Sequence, residues 1–158
     1  MKRNVAFQFI LVSLLSLLFG IFFGVCGGLQ YILPGFLRDS FSFNKIRPLH
    51  VTLVITWIFS GAIGGIYYYL PLITHRNLFS TYLARTHFYL FIVTGVAILM
   101  CYSAGYFGGR EYIEFPPALG IPLVACWVLF LINFFKTLPI RIAFRAQSKA
   151  LFKKLGGG

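Results

Sequence analysis

Arg47-Pro48-Leu49-His50 opens the apolar run 51–72. With its entry turn that run is long enough to cross a bilayer as a helix, which takes roughly 20 apolar residues. Proline suits a helix start, because its fixed φ is already helical and the missing N–H is one that would have no intrahelical partner. The stretch therefore reads as the mouth of a spanning helix. It carries at that mouth one of only three histidines in 158 residues.

Working outward, three more runs have the length and character of spans. The four cover about 5–33, 49–72, 82–106 and 118–138, with ends uncertain by about two to four residues. They define a four-helix transmembrane domain over residues 1–138, followed by a tail, 139–158. Composition agrees: the chain is 59% hydrophobic, 19% aromatic and 11% charged, with mean hydropathy +0.84. Soluble chains are roughly 45–50% apolar and about 25% charged. The class is all-α integral membrane protein.

The formal net charge is +11, from 14 basic and 3 acidic residues. In a soluble protein that balance points to nucleic acid. Here the bases lie between and beyond the apolar runs, so they read as topology signals and contacts to lipid headgroups; no nucleic-acid partner is expected. Ten of the 14 fall on one side: Lys2, Arg3, Arg76, Arg85, Lys136, Arg141, Arg145, Lys149, Lys153 and Lys154. The other side holds Arg38, Lys45, Arg47 and Arg110 with all three acids, Asp39, Glu111 and Glu114. The excess places both termini in the cytoplasm and His50 near the outer surface. The tail alternates apolar and basic residues, which suits an amphipathic helix lying on an anionic leaflet.

The first run follows Lys2 and Arg3 like a signal peptide. A secretory apolar region spans only about 7–15 residues, and this run is longer, so a retained helix is expected. Phe23-Gly24-Val25 makes a poor lipoprotein cleavage site before Cys26. Cys26, Cys101 and Cys126 all sit in apolar runs without a CxxC, and read as small buried hydrophobes. Gly20, Gly24 and Gly28, and again Gly61 and Gly65, recur at four-residue spacing, the pattern that lets helix backbones approach closely.

His50 carries the first chemical question. Neutral imidazole is a haem and metal ligand, and ionisable groups at membrane depth are usually functional. The bland alternative is an interfacial histidine facing headgroups. Arg47 lies one turn away on the same face, where a guanidinium can hold a haem propionate. His87 falls near the opposite end of its own helix. The position level with His50 there is about 18 residues further on, about 27 Å away, so one haem cannot reach both. His75, in the loop at the far end, fails likewise. A second axial histidine would have to come from another chain. The loop 108–117 raises the second question, since Glu111 and Glu114 can converge on a hard cation such as calcium or relay protons. Its alternative is a solvated loop with a Glu–Arg pair. No phosphate loop, nucleophile elbow, HExxH or CxxCH is present.

Several blocks carry a family resemblance. GLQYILPGFL (28–37) followed by RPLHVTLVITWIFSGAIGGIYYYLP (47–71) resembles the first two helices of the large subunit of bacterial nitric oxide reductases, within the haem-copper oxidase superfamily. GREYIEFPP (109–117) and VLFLINFFKT (128–137) are similar to the same family's third-to-fourth helix region. The resemblance covers roughly residues 20–138. It implies that His50 is an axial ligand of low-spin haem b. It also implies that Glu111 is associated with a calcium bridging the propionates, that Glu114 belongs to the calcium site or a proton route, and that Arg47 and Arg110 are propionate or loop partners. The family's large subunit has about twelve spanning helices, whereas four are expected here. The second axial histidine, the high-spin haem ligand and the non-haem metal ligands would then lie in a partner chain carrying the remaining helices.

The implied role is a subunit, or the split N-terminal part, of a larger haem-copper-oxidase-like bundle in the bacterial cytoplasmic membrane, converting two NO to N2O. Cytochrome c or quinol would be the electron donor. A truncated product, a terminal oxidase component using oxygen and a non-catalytic scaffold are the alternatives.

Overall fold

The computed structural model describes residues 3–110 and 112–138. Helix α1 spans Arg3–Ile32, α2 Phe43–Thr74, α3 Thr81–Ala104 and α4 Gly120–Thr137, with a short 3-10 turn, Pro117–Leu119, leading into α4. All four are long and apolar enough to cross a membrane. The tail 139–158, read from sequence as an amphipathic helix, lies outside the described residues, as does Glu111.

Helix α2 starts earlier than its apolar run. Ser42 caps it with extended backbone, and Pro48 and Pro71 both lie inside the helix. The polar turn Asn44-Lys45-Ile46-Arg47 is helical although no apolar periodicity marks it. His50 therefore sits about 10 Å inside the helix rather than at its mouth. At 32 residues, α2 is about 48 Å long against a hydrocarbon core of about 30 Å. Shared evenly, the excess of about 18 Å leaves His50 near the edge of the apolar layer.

Helices α1 and α2 pack antiparallel along most of their length. The glycines fix the register. A Cβ on Gly20 would touch Val54 and Leu53, one on Gly24 the His50 ring, one on Gly27 Ile46, one on Gly61 Ser13, and one on Gly64 Ile10 and Ala6. Each step along α1 is matched by an equal step back along α2. Gly28 and Gly65, members of the four-residue pattern read from sequence, have nothing within 4 Å. The close-approach glycines are instead 20, 24 and 27 on α1 and 61 and 64 on α2, because 3.6 residues per turn carries the contact stripe across a mix of three- and four-residue steps. Ser13 locks the seam by donating from Oγ to the Trp57 carbonyl at 2.9 Å.

The second hairpin, α3–α4, is fastened at the α2–α3 turn. The Asn133 carboxamide accepts from Ser80 N–H at 3.0 Å and donates to Ser80 C=O at 2.9 Å. Thr137 Oγ1 accepts from Phe79 N–H at 3.0 Å. Ser80 Oγ caps α3 by accepting from Leu83 N–H.

Two apolar clusters close the ends. One gathers Phe9, Ile63, Tyr67, Ala84 and Phe130. The other gathers Leu49, Ile98 and Tyr102 under Phe23, Phe41 and Phe115. Large apolar side chains on α1, among them Phe7, Leu14, Leu18 and Phe22, stay exposed, as expected where lipid or further helices cover the surface.

Candidate functional site

His50 lies against α1, half buried. Its Nδ1 is 2.8 Å from the Gly20 carbonyl oxygen. A carbonyl only accepts, so Nδ1 carries the proton and donates. In the neutral ring the lone pair is then on Nε2, the nitrogen left for a ligand. This is the arrangement by which a backbone carbonyl sets the tautomer of a metal-binding histidine. Gly24 makes it sterically open: a Cβ there would lie 2.8 Å from Cε1 and 2.9 Å from Nδ1 of the ring. A haem iron is thus suited by a ring with one nitrogen anchored and the other free.

One turn before, Arg47 donates to Glu114 Oε1 at 2.5 Å. The Arg47 side chain is 49% exposed and that of Glu114 only 14%, so the pair bridges from solvent into the structure. Glu114 reaches α2 because the loop after α3 folds back on itself. Gly105 ends α3 in the left-handed region at φ 84°, and Tyr106 N–H donates to Cys101 C=O. Gly109 at φ 74° and Tyr112 at φ 63° turn the chain again. Ile113 N–H then donates to Arg110 C=O, and Gly108 N–H to Glu114 C=O. At Gly108 any side chain would run into the Phe115 carbonyl. Lys45 Nζ donates to Ser103 C=O at 3.0 Å, tying the start of α2 to the end of α3. Arg47, Pro48, Val51, Thr52, Tyr102, Tyr112 and Glu114 line a cavity of about 180 Å³.

The structure thus joins two of the residues singled out from sequence, Arg47 and Glu114, and sets His50 one turn from Arg47 on α2. Arg110 is exposed in the tight turn, and Glu111 lies outside the described residues. Among the described residues no group of three or more His, Cys, Asp or Glu side chains could hold a metal ion.

The other two histidines are elsewhere. His87 is buried, with Nδ1 3.0 Å from the Tyr67 hydroxyl, among Phe9, Phe91 and Phe130. Tyr67 is 17 residues beyond His50 on α2, about 25 Å along the axis. His75 is the left-handed cap of the same helix, farther still. Neither shares the level of His50, in keeping with the depth argument from sequence.

Sequence reasoning read Gly20 and Gly24 only as packing residues and missed that both face the His50 ring. The signal that could have found them is the antiparallel register, which sets Gly24 opposite His50.

The family model described as cytochrome c and quinol oxidase polypeptide I matches residues 4–152. The chain is also 29% identical over 146 residues to a nitric oxide reductase subunit of Stutzerimonas stutzeri, an alignment covering 84% of this chain and 31% of that protein. The chain thus spans about a third of the length of this curated relative. The match over most of its length shows that the chain belongs to the cytochrome c and quinol oxidase polypeptide I family, subunit I of the haem-copper oxidases.

Proposed function

We propose that this chain is the haem-ligating N-terminal helix set of a membrane nitric oxide reductase, working with further helices that carry the rest of the site. The carrying observation is the His50 ring, with Nδ1 held by the Gly20 carbonyl and Nε2 left as the ligand. His50 would be one axial ligand of low-spin haem b, and a histidine outside this chain the other. A haem held there supplies one-electron transfer towards a binuclear centre where two NO, two electrons and two protons give N2O and water.

The chain's own residues do the holding. The Arg47 guanidinium has five donors, so one can stay on Glu114 while others take a propionate, with Arg110 as a second propionate partner. Glu114 keeps the Arg47 charge balanced before a propionate arrives and stands on a proton route. Calcium takes six to eight oxygens. Glu111, with Glu114 as an additional ligand, would supply only part of that shell if calcium bound there, and the calcium would serve to neutralise carboxylate charge. The membrane is the bacterial cytoplasmic one, with both termini inside. The electron donor is a cytochrome c subunit or quinol.

A second reading, reduction of oxygen, is favoured by the oxidases named in the matching family description. The test is consumption of NO and of O2 by the purified membrane assembly containing this chain. N2O formation that disappears in His50→Ala supports the proposal. Oxygen uptake without N2O formation would replace it by the oxidase reading. Full activity without this chain would leave it a scaffold.

A further inference from the structure

We propose that Gly24 is a positioning residue for His50: the absence of a side chain there keeps the ring on α1, with its Nδ1–H on the Gly20 carbonyl and Nε2 as the ligating nitrogen. The inference deepens the haem reading and rests on it for its consequence.

Three close-approach glycines on α1 face α2, and they are not equivalent. A Cβ at Gly20 would meet Val54 Cγ2 at 3.4 Å and Leu53 Cβ at 3.5 Å, ordinary contacts. At Gly27 the nearest atom is Ile46 Cγ2, 3.2 Å away. At Gly24 the three nearest atoms all belong to the His50 imidazole, at 2.8, 2.9 and 3.6 Å. The two closest, Cε1 and Nδ1, flank the hydrogen bond to Gly20, and the farthest is Nε2. A methyl group at position 24 therefore pushes on the bonded edge of the ring. The side chain is the movable partner, so the ring swings away and the 2.8 Å bond to Gly20 breaks while the helices stay paired. Gly20 contributes through its backbone carbonyl, which alanine at that position keeps. Packing alone would make Gly27, whose tight contact is Ile46 and not His50, sensitive as well. Positioning makes only Gly24 sensitive.

Loss of the anchor frees the ring to take either tautomer and to rotate about its side-chain torsions. Where a supporting partner of a metal-binding histidine is removed, affinity falls by about 10- to 100-fold. Haem affinity of the assembled protein should fall by that order in Gly24→Ala and stay within about 2-fold of wild type in Gly27→Ala, whose added methyl meets Ile46 instead of the ring.

The test needs no haem for its main readout. The full chain, labelled with 15N-histidine and placed in lipid nanodiscs at about pH 8, where an ordinary imidazole is neutral, reports the tautomer of His50. Its signal is assigned by its loss in His50→Ala. Wild type and Gly27→Ala should show a protonated Nδ1 and a bare Nε2. Gly24→Ala should show a mixture or the opposite tautomer. A wild-type tautomer in Gly24→Ala would overturn the proposal. So would a mixed tautomer in wild type. If Gly24→Ala folds poorly, combining it with His50→Ala should restore folding to that of His50→Ala alone, because the clashing atoms are gone; failure of that rescue also overturns it. The haem reading fails separately, through a low-spin haem spectrum that survives His50→Ala.

Discussion

His50 Nδ1 lies 2.8 Å from the carbonyl oxygen of Gly20, thirty residues away on the neighbouring helix. On the proposed function, that bond makes a helix–helix seam the support of a haem-binding ring. It holds the ring at Nδ1 and puts the lone pair of the neutral imidazole on Nε2. It also accounts for the small residues opposite. A spanning helix that must accept an imidazole edge-on needs open space at one turn and a free-facing carbonyl at the turn before.

The ion pair of Arg47 and Glu114 should fasten the loop after α3 to the start of α2. A double-mutant cycle with Arg47→Gln and Glu114→Gln, read by thermal unfolding in detergent, is expected to give a coupling of about 0.5–1 kcal/mol, since Arg47 is about half exposed and screened. No coupling would show that the loop is held by Lys45 and the backbone alone.

Asn133 should matter more than any surface charge. Its carboxamide satisfies both backbone groups of Ser80 and is fully buried. Asn133→Ala leaves Ser80 N–H without its partner, at about 1–3 kcal/mol, while Ser80 C=O keeps the bond from Ala84 N–H. Asn133→Asp sets a buried carboxylate against the Ser80 carbonyl, so it should destabilise at least as much. Equal stability of wild type and Asn133→Ala would remove the clasp from the account.

Tyr67 and His87 form a buried pair at 3.0 Å. Tyr67→Phe leaves the His87 nitrogen without its partner and is expected to cost about 1–3 kcal/mol, whereas Tyr67→Phe combined with His87→Phe should recover much of it. Haem spectra should be unchanged in both, since the pair is about 25 Å from His50 along α2. A haem spectrum altered in His87→Phe alone would contradict that separation.

The glycine register makes a sharper forecast. Gly64 has Ile10 and the Ala6 carbonyl within 3.0 Å of an added Cβ, and Gly65 has nothing within 4 Å. Gly64→Val should loosen the α1–α2 hairpin by about 1–3 kcal/mol, the usual cost of overpacking. Gly65→Ala should be neutral or slightly stabilising, as alanine favours helix more than glycine. Cysteine crosslinking between α1 and α2 in native membranes distinguishes the two.

How far the sequence carries the fold can be judged from α2. Its apolar run announced a spanning helix, because burial in lipid demands about 20 apolar residues in a row. The start at Phe43 was hidden. Asn44, Lys45 and Arg47 interrupt any apolar pattern there, and Pro48 looks like a first-turn residue when it lies inside the helix. Histidine depth was legible because rise per residue is fixed, and it kept His87 apart from His50. The facing of Gly24 and the His50 ring was not, since spacing within one helix says nothing of which side chain faces it from another. Arg47 and Glu114 were each marked as site residues, but their pairing depends on the backward fold of residues 105–115, set by positive φ at Gly105, Gly109 and Tyr112. Tyrosine at such a position gives no sequence signal.

The most direct measurement of the central claim is the low-temperature electron paramagnetic resonance and near-infrared magnetic circular dichroism of the purified, oxidised assembly, wild type against His50→Ala. The account predicts a bis-histidine low-spin haem in wild type, and its conversion to a high-spin form or its loss in His50→Ala. A bis-histidine low-spin signal that persists in His50→Ala would contradict it.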